Sequence, residues 1–473
     1  MFSLDGLLTT KRSRSGYGHQ AIPPPRRLRT IGLASVLFFT VSGGPYGLET
    51  VVASLNAGWA VCLIILAAVV WALPSAAMVS ELSTTLPLEG GYYIWVKKTL
   101  GPFWGLQEGW WSLWAIVADM AVYPVLFVNY LSYFVPYLSV GKDGDMDAHV
   151  ALVRWSVALA VILVALIVNW QGARSVGHSA LGSLFWVLGP FIALSIWRFA
   201  QPHSVTTALA AVKDGIKVPP TVRGLAVGLS AVLWNYTGWD NLSTFAEEVE
   251  NPERTYPRAI WLTIPLILAV YLVPLLAGVG ATTDREHWTS GWPDVAYVVG
   301  GRLLGDIVAT AGLVSAWSLF NSQLLSVSRV PFVMAIDGWL PSALGRVSQR
   351  TAVPTTALVT TCVVISAFAV FSFEKLVVID FLLYSAAFML EFAALIELRR
   401  KAPDIVRPFR IPGGWPVIAA ATAGPALCTI VVASVSAVDA FRDPLQVAIV
   451  STALTSGILL YLIRRSKRGQ LPS

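Results

Sequence analysis

Residues 41–50 read VSGGPYGLET, between TIGLASVLFFT (30–40) and VVASL (51–55). The flanks together make one run long enough to cross a membrane as a helix. The middle holds Gly43, Gly44, Pro45 and Gly47. Pro45 lacks a backbone donor and cannot continue the helix from Gly44. An interrupted helix in lipid leaves N–H and C=O groups unpaired, which is tolerated only where protein or a water-filled cavity surrounds the break. The stretch is therefore either a kink in a packed helix or the wall of a site.

Composition agrees with a membrane reading. Of 473 residues, 56% are hydrophobic and only 13% charged, against about a quarter charged in a soluble domain. The three cysteines, Cys62, Cys362 and Cys428, sit in apolar runs and read as small buried hydrophobes. No zinc spacing or disulfide framework is present, and no metal or cofactor is expected. The net charge of +6 is placed at the ends of apolar runs, so it points to a lipid bilayer as partner and not to nucleic acid.

Apolar runs near 20 residues number about twelve. They fall at 30–55, 58–82, 103–138, 150–170, 176–198, 223–247, 257–281, 300–334, 352–371, 375–399, 415–437 and 443–463. Connections are short, the longest at 199–222 and 335–351. Most of the 33 lysines and arginines fall on the side of the N-terminus, so both termini are expected in the cytoplasm and the chain in a plasma (inner) membrane. Residues 1–29 read as a disordered basic tail, and 465–473 as a short cytoplasmic tail. The fold class expected is an all-α polytopic membrane protein.

Span six repeats the feature of span one. Asn235, Thr237, Gly238, Asp240 and Asn241 are poor helix formers at its centre, between Trp234 and Trp239. Spans one and six are five apart and run in opposite directions. That is the pattern of a five-plus-five inverted repeat, here 30–200 and 201–400, with 401–464 as two peripheral spans and the substrate at the broken helices. Half-helix ends there expose backbone N–H groups and carbonyls that can hold a charged solute.

Acids inside spans are costly and face an interior or a cavity. Glu49, two residues past the first break, either caps the second half-helix or meets a substrate ammonium or a proton. Asp119 is four residues before Tyr123, on one helix face. Asp240 follows the second break beside aromatic rings, chemistry suited to an alkylammonium. Glu391 lies deep in span ten as a proton site or a structural partner. Asp380, nearer the outer end, reads as interfacial. Glu247, Glu248, Glu250 and Glu253 read as a solvated helix end.

At these residues the chain resembles the amino acid–polyamine–organocation superfamily, and within it the polyamine:proton symporters and the L-type amino acid transporters. The likeness is carried by SGGPYGLET (42–50), ELSTTLPLEGGYYIWVKKTLGPFWG (81–105), DMAVYPVLFVNYL (119–131), GWDNLSTFAEEVENPERTYPRAI (238–260) and EFAALIELRRKAPDIVRPFRIPGG (391–414). Span eight, AGLVSAWSLFNSQLLSVSRVPFVMA (311–335), is closer to the amino acid branch. The resemblance implies a LeuT-like core of spans one to ten and alternating access, usually driven by protons. Some proton-coupled relatives carry a lysine in span five. Residues 175–197 hold none, and His178 there reads as a solvated end residue.

The function expected is a permease importing amino acids or polyamines, with a membrane sensor or an amino acid exchanger as alternatives. No G-x-S-x-G or H-E-x-x-H pattern supports an enzyme. The substrate-binding residues expected are Ser42, Gly43, Gly44, Gly47, Asp119, Tyr123, Trp234, Tyr236, Thr237, Gly238, Trp239 and Asp240. Glu49, Asp119 and Glu391 are the candidates for proton coupling.

Overall fold

The computed structural model describes residues 29–87, 91–139, 146–170, 173–241, 243, 250–348, 353–438 and 444–468. Among them there is no strand. Residues 1–28 and 469–473 and the acids Glu247 and Glu248 lie outside the described residues, while 465–468, expected in the tail, continue the last helix.

Span one is two helices, α1 (Thr30–Val41) and α2 (Glu49–Ser54), joined by Ser42–Leu48. Then follow α3 (Ala57–Thr85), α4 (Gly91–Leu100), α5 (Pro102–Phe134), α6 (Ala148–Trp170), α7 (Ala173–Phe199), α8 (Ser204–Ile216) and α9 (Val222–Trp234). The rest of the chain forms α10 (Pro252–Ala281), α11 (Arg285–Ser290), α12 (Trp292–Val327), α13 (Arg329–Ile336), α14 (Thr355–Phe368), α15 (Phe373–Lys401), α16 (Gly414–Val438) and α17 (Pro444–Arg468). Among the described residues, eight helical stretches are long and apolar enough to cross a membrane, and Trp186–Phe199, Val222–Trp234 and Thr355–Phe368 are shorter apolar helices. The chain is an integral membrane protein.

Burial sorts these helices into centre and periphery. The most apolar windows of α5 and α15 are each 67% buried within the protein, while those of α16 and α17 are 17% and 11% buried. The last two helices therefore turn most of their apolar surface outward to lipid, as peripheral helices do.

Two expectations of span length are corrected. The connection 199–222 is not an extended loop: it contains α8, which lies against α3. There the backbones touch, and a Cβ on Gly58 would stand 2.7 Å from the Gly215 carbonyl carbon. The run 300–334 is not one helix. It is interrupted at Gly300 and Gly301, whose φ/ψ are −140/18 and 75/−171, while a one-residue turn at Ser328, still in the right-handed helical region, divides α12 from α13. Hydropathy continues through Gly300 and Gly301 because glycine interrupts helix geometry without adding charge.

The end of the bundle where α1 begins is called here the tail end. Among the described residues it carries most of the ion pairs, including the buried ones. Arg399 at the end of α15 donates to both oxygens of Glu81 in α3, one of these bonds being Nε to Oε1 at 2.7 Å. The Ile411 N–H donates to Glu81 Oε2 at 2.8 Å. Lys97 of α4 reaches Asp337 at 3.0 Å, and Arg29 reaches Glu250 at 3.0 Å.

Candidate functional site

Both interruptions are real breaks, and side chains from other helices satisfy them. In the first, Gly44 N–H donates to Ser42 Oγ at 3.3 Å. Two α12 side chains take the freed carbonyls: Ser315 Oγ donates to Gly43 O at 3.2 Å and Trp292 Nε1 to Pro45 O at 2.8 Å. In the second, Tyr271 of α10 donates to Asn235 O at 2.6 Å, and Gly238 N–H donates to the Tyr384 hydroxyl of α15 at 3.1 Å. The interruptions touch. Gly238 has φ +89, and a Cβ there would stand 2.8 Å from the Thr40 carbonyl oxygen. Gly47, at φ +88, would place a Cβ 3.0 Å from Phe373 and 3.2 Å from Trp234. Only glycine meets both demands, a positive φ and no side chain.

Between the breaks lies a cavity enclosing about 900 Å³, part of it open to solvent. The first break contributes Gly43 and Tyr46, and the second Trp234, Thr237, Gly238 and Asp240. Helix α5 contributes Ser112, Ala115, Asp119, Tyr123, Leu126 and Tyr130, a stripe at helical spacing. Gln323 of α12, Asp380 and Tyr384 of α15 and Tyr92 of α4 complete its polar wall. Three carboxylates thus face one space, and among the described residues the lining contains no Lys, Arg or His.

Hydrogen bonds orient two of these acids. Trp234 Nε1 donates to Asp119 Oδ1 at 2.9 Å, and Tyr123 OH lies 3.4 Å from both Asp119 oxygens while accepting from Gln323 Nε2 at 3.1 Å. Tyr384 OH donates to Asp240 Oδ1 at 2.6 Å. Neutral donors of this kind fix a carboxylate's direction and leave its charge to be balanced by something else. Among the described residues no three His, Cys, Asp or Glu converge as a metal site would require. The acids are spread along the wall.

The structure divides the expected site residues. Gly43, Asp119, Tyr123, Trp234, Thr237, Gly238 and Asp240 line the cavity. Ser42, Gly44 and Gly47 shape the break behind its surface. Tyr236 points away, with its ring against Tyr271 at 5.3 Å, and Trp239 is wholly buried; neither is part of the lining. Glu49 lies behind the wall, where its Oε1 accepts from Tyr130 OH at 2.6 Å and Oε2 has no partner among the described residues. Glu391 is buried and does not reach the lining. The side chain of His178 is outside the described residues.

Sequence reading underrated Asp380. It is 3% exposed and lines the cavity, so it is not interfacial. It missed Glu108, buried in α5, whose Oε1 accepts from the lining residue Ser112 at 2.8 Å. It also missed the aromatic lining Tyr46, Tyr92, Tyr130 and Tyr384. A helical stripe counted outward from Asp119 would have found Glu108, Ser112 and Tyr130.

Comparison with known proteins places this geometry in context. The sequence model of the family described as amino acid permease matches residues 31–458. Polyamine transporter PUT1 of Oryza sativa subsp. japonica is 32% identical over 93% of this chain and 79% of its own length. Polyamine transporter RMV1 of Arabidopsis thaliana is 32% identical over 82% of this chain and 76% of its own. Large neutral amino acids transporter small subunit 2 of Homo sapiens is 28% identical over 72% of this chain and 63% of its own.

Proposed function

The chain belongs to the amino acid permease family, and from that premise we propose that this permease carries linear polyamines inward through its central cavity, driven by protons. The observation that carries the reading is the cavity wall: Asp119, Asp240 and Asp380 with no cationic residue among the described lining. Buried carboxylates need a counter-charge. A polyamine supplies several ammonium groups and asks for no anion-binding counterpart. The rings of Tyr123, Trp234 and Tyr384 offer π-faces to the same groups.

A zwitterionic amino acid fits less well. Its carboxylate would seek the N-terminus of the second half-helix, α2. Glu49 already stands in the first turn of that helix, and the Gly44 N–H is taken by Ser42. A fixed carboxylate repels a second one at the same end.

Glu49 is the proton carrier in this reading. It is buried with one oxygen bound to Tyr130 and the other without a partner among the described residues, and Tyr130 faces the cavity. Movement at the first break would change both the hydroxyl contact and access to water. The predominance of Lys and Arg on the tail end supports a cytoplasmic orientation for that end and for both termini. The two repeats span 30–200 and 201–400 in this reading, followed by peripheral helices.

The test is transport in liposomes of purified protein. Labelled spermidine should exchange against internal spermidine, and an acidic exterior should accelerate net uptake. Exchange of leucine but not spermidine would overturn the substrate. Uptake indifferent to the pH gradient would remove the proton. Absence of any flux despite binding would return the protein to a sensor.

A further inference from the structure

Helices α5 and α15 pack side by side in opposite directions, and each carries two acids at the same interval. Asp119 is 11 residues after Glu108, and Glu391 is 11 residues after Asp380. Eleven residues make three helical turns, so both acids of each helix share a face, about 16 Å apart along the axis. Because the helices are antiparallel, Asp119 comes opposite Asp380 and Glu108 opposite Glu391. Each acid of α15 is within electrostatic reach of its opposite number. Asp240 stands between the levels and acts on Asp380, Glu108 and Glu391 alike.

The lower pair is built differently from a structural ion pair. Glu108 is 0% exposed and Glu391 1% exposed. The Oε2 atoms of both have no hydrogen-bond partner among the described residues. Among the described residues, the charged groups within reach of Glu391 are the carboxylates Asp240 and Glu108. Ser112, which bonds Glu108, is on the cavity floor together with Tyr92. Contrast Glu81, equally buried but held by Arg399 and the Ile411 N–H.

We propose that Glu108 and Glu391 form a second amine subsite, one side-chain layer below the cavity, which takes one ammonium of a linear polyamine whose other end is held between Asp119 and Asp380. The inference rests on the polyamine reading and deepens it: the substrate class becomes long polyamines with well-separated charges. Tyr92 and Ser112 separate the two levels, so their side chains move aside as the longer amine enters. Two levels of acids along one helix pair match a stretched polycation.

The experiment is equilibrium binding to purified full-length protein. The ligands are putrescine, spermidine and spermine, and the proteins are wild type, the double variant Glu108→Gln with Glu391→Gln, and Asp380→Asn. The double variant should lose spermine affinity by about tenfold or more while putrescine stays within about twofold. Asp380→Asn should weaken both. Equal losses for all lengths in the double variant, or none, overturn the subsite, while an effect of Asp380→Asn would still uphold the upper site. Wild type that binds none of the three overturns the polyamine reading itself, and the subsite with it. A measurement on wild type alone guards against misfolding of the variant. A twelve-carbon diamine should bind about tenfold tighter than four-carbon putrescine at low salt, and equal affinity overturns the proposal.

Discussion

Asp119 receives two aromatic donors, Trp234 and Tyr123, and Asp240 receives Tyr384. Asp380 faces the same space between them. An ammonium placed among these oxygens gains charge-assisted hydrogen bonds, each worth about 1.5–3 kcal/mol. Asp119→Asn or Asp380→Asn should therefore weaken spermidine binding by about 10- to 100-fold, measured on purified protein. Asp240→Asn should do the same with little loss of folded yield, because asparagine still accepts from Tyr384. Equal losses of yield and affinity would make Asp240 structural. Asp119 and Asp240 were legible in the sequence, since an acid flanked by apolar residues mid-span must face a cavity or a polar partner to escape lipid. Asp380 was not. It lies only two turns from the start of α15 at Phe373, but α9 packs against α15, so distance along the helix does not equal distance from water. Glu108 stood in a mixed stretch, LQEGWW (106–111), that resembles a helix entrance. Its signal was the interval to Asp119.

At the scale of elements, the two breaks depend on glycines where one strand of backbone lies on another. Gly238→Ala would force a Cβ to within 2.8 Å of the Thr40 carbonyl at φ +89, a strain of about 1–3 kcal/mol. Transport should fall steeply, with a drop in thermal stability that Gly189→Ala does not match, since Gly189 has open space around it and no positive φ. The breaks were legible because glycine, proline and short polar residues cluster where a helix former is expected. Their repair was not. Trp292, Ser315, Tyr271 and Tyr384 reach them from helices distant in sequence, and local propensity carries no information on such contacts. The tail-end pairs differ in worth for the same physical reason. Glu81 and Arg399 have side chains 0% and 5% exposed. Glu81→Ala would strand Arg399 without its counter-charge at a cost of about 3–5 kcal/mol, read as a large fall in unfolding temperature. Arg29 and Glu250 are 85% and 38% exposed, and Arg29→Gln should change stability by less than about 1 kcal/mol.

For the whole molecule, alternating access requires that the tail end and the opposite end are not open together. At the tail end, Asp337 accepts from Tyr93 OH at 2.6 Å and from Lys97 at 3.0 Å, and Trp339 Nε1 donates to the Tyr93 hydroxyl at 3.2 Å. Burial, and then the Asp337 carboxylate, pushes the Tyr93 phenol up, so it remains a donor at physiological pH. This cluster ties α4 to the segment after α13. Asp337→Asn should loosen it and favour opening at the tail end. The readout is Ser112→Cys on the cavity floor, labelled by a water-soluble maleimide from that side. Labelling should rise several-fold in the Asp337→Asn background, and an unchanged rate would mean that the cluster only stiffens the loop. The architecture as a whole was legible from hydropathy and the paired breaks. The choice between substrates was not, because it depends on which acids share one cavity.

That choice is the central claim, and ligand-induced thermal stabilisation of the purified protein tests it most directly. Spermidine and spermine should raise the unfolding temperature, leucine should not, and Asp119→Asn should abolish the polyamine effect. Stabilisation by leucine, lost when its carboxylate is amidated and absent with spermidine, would contradict the account and assign the first break to a substrate carboxylate.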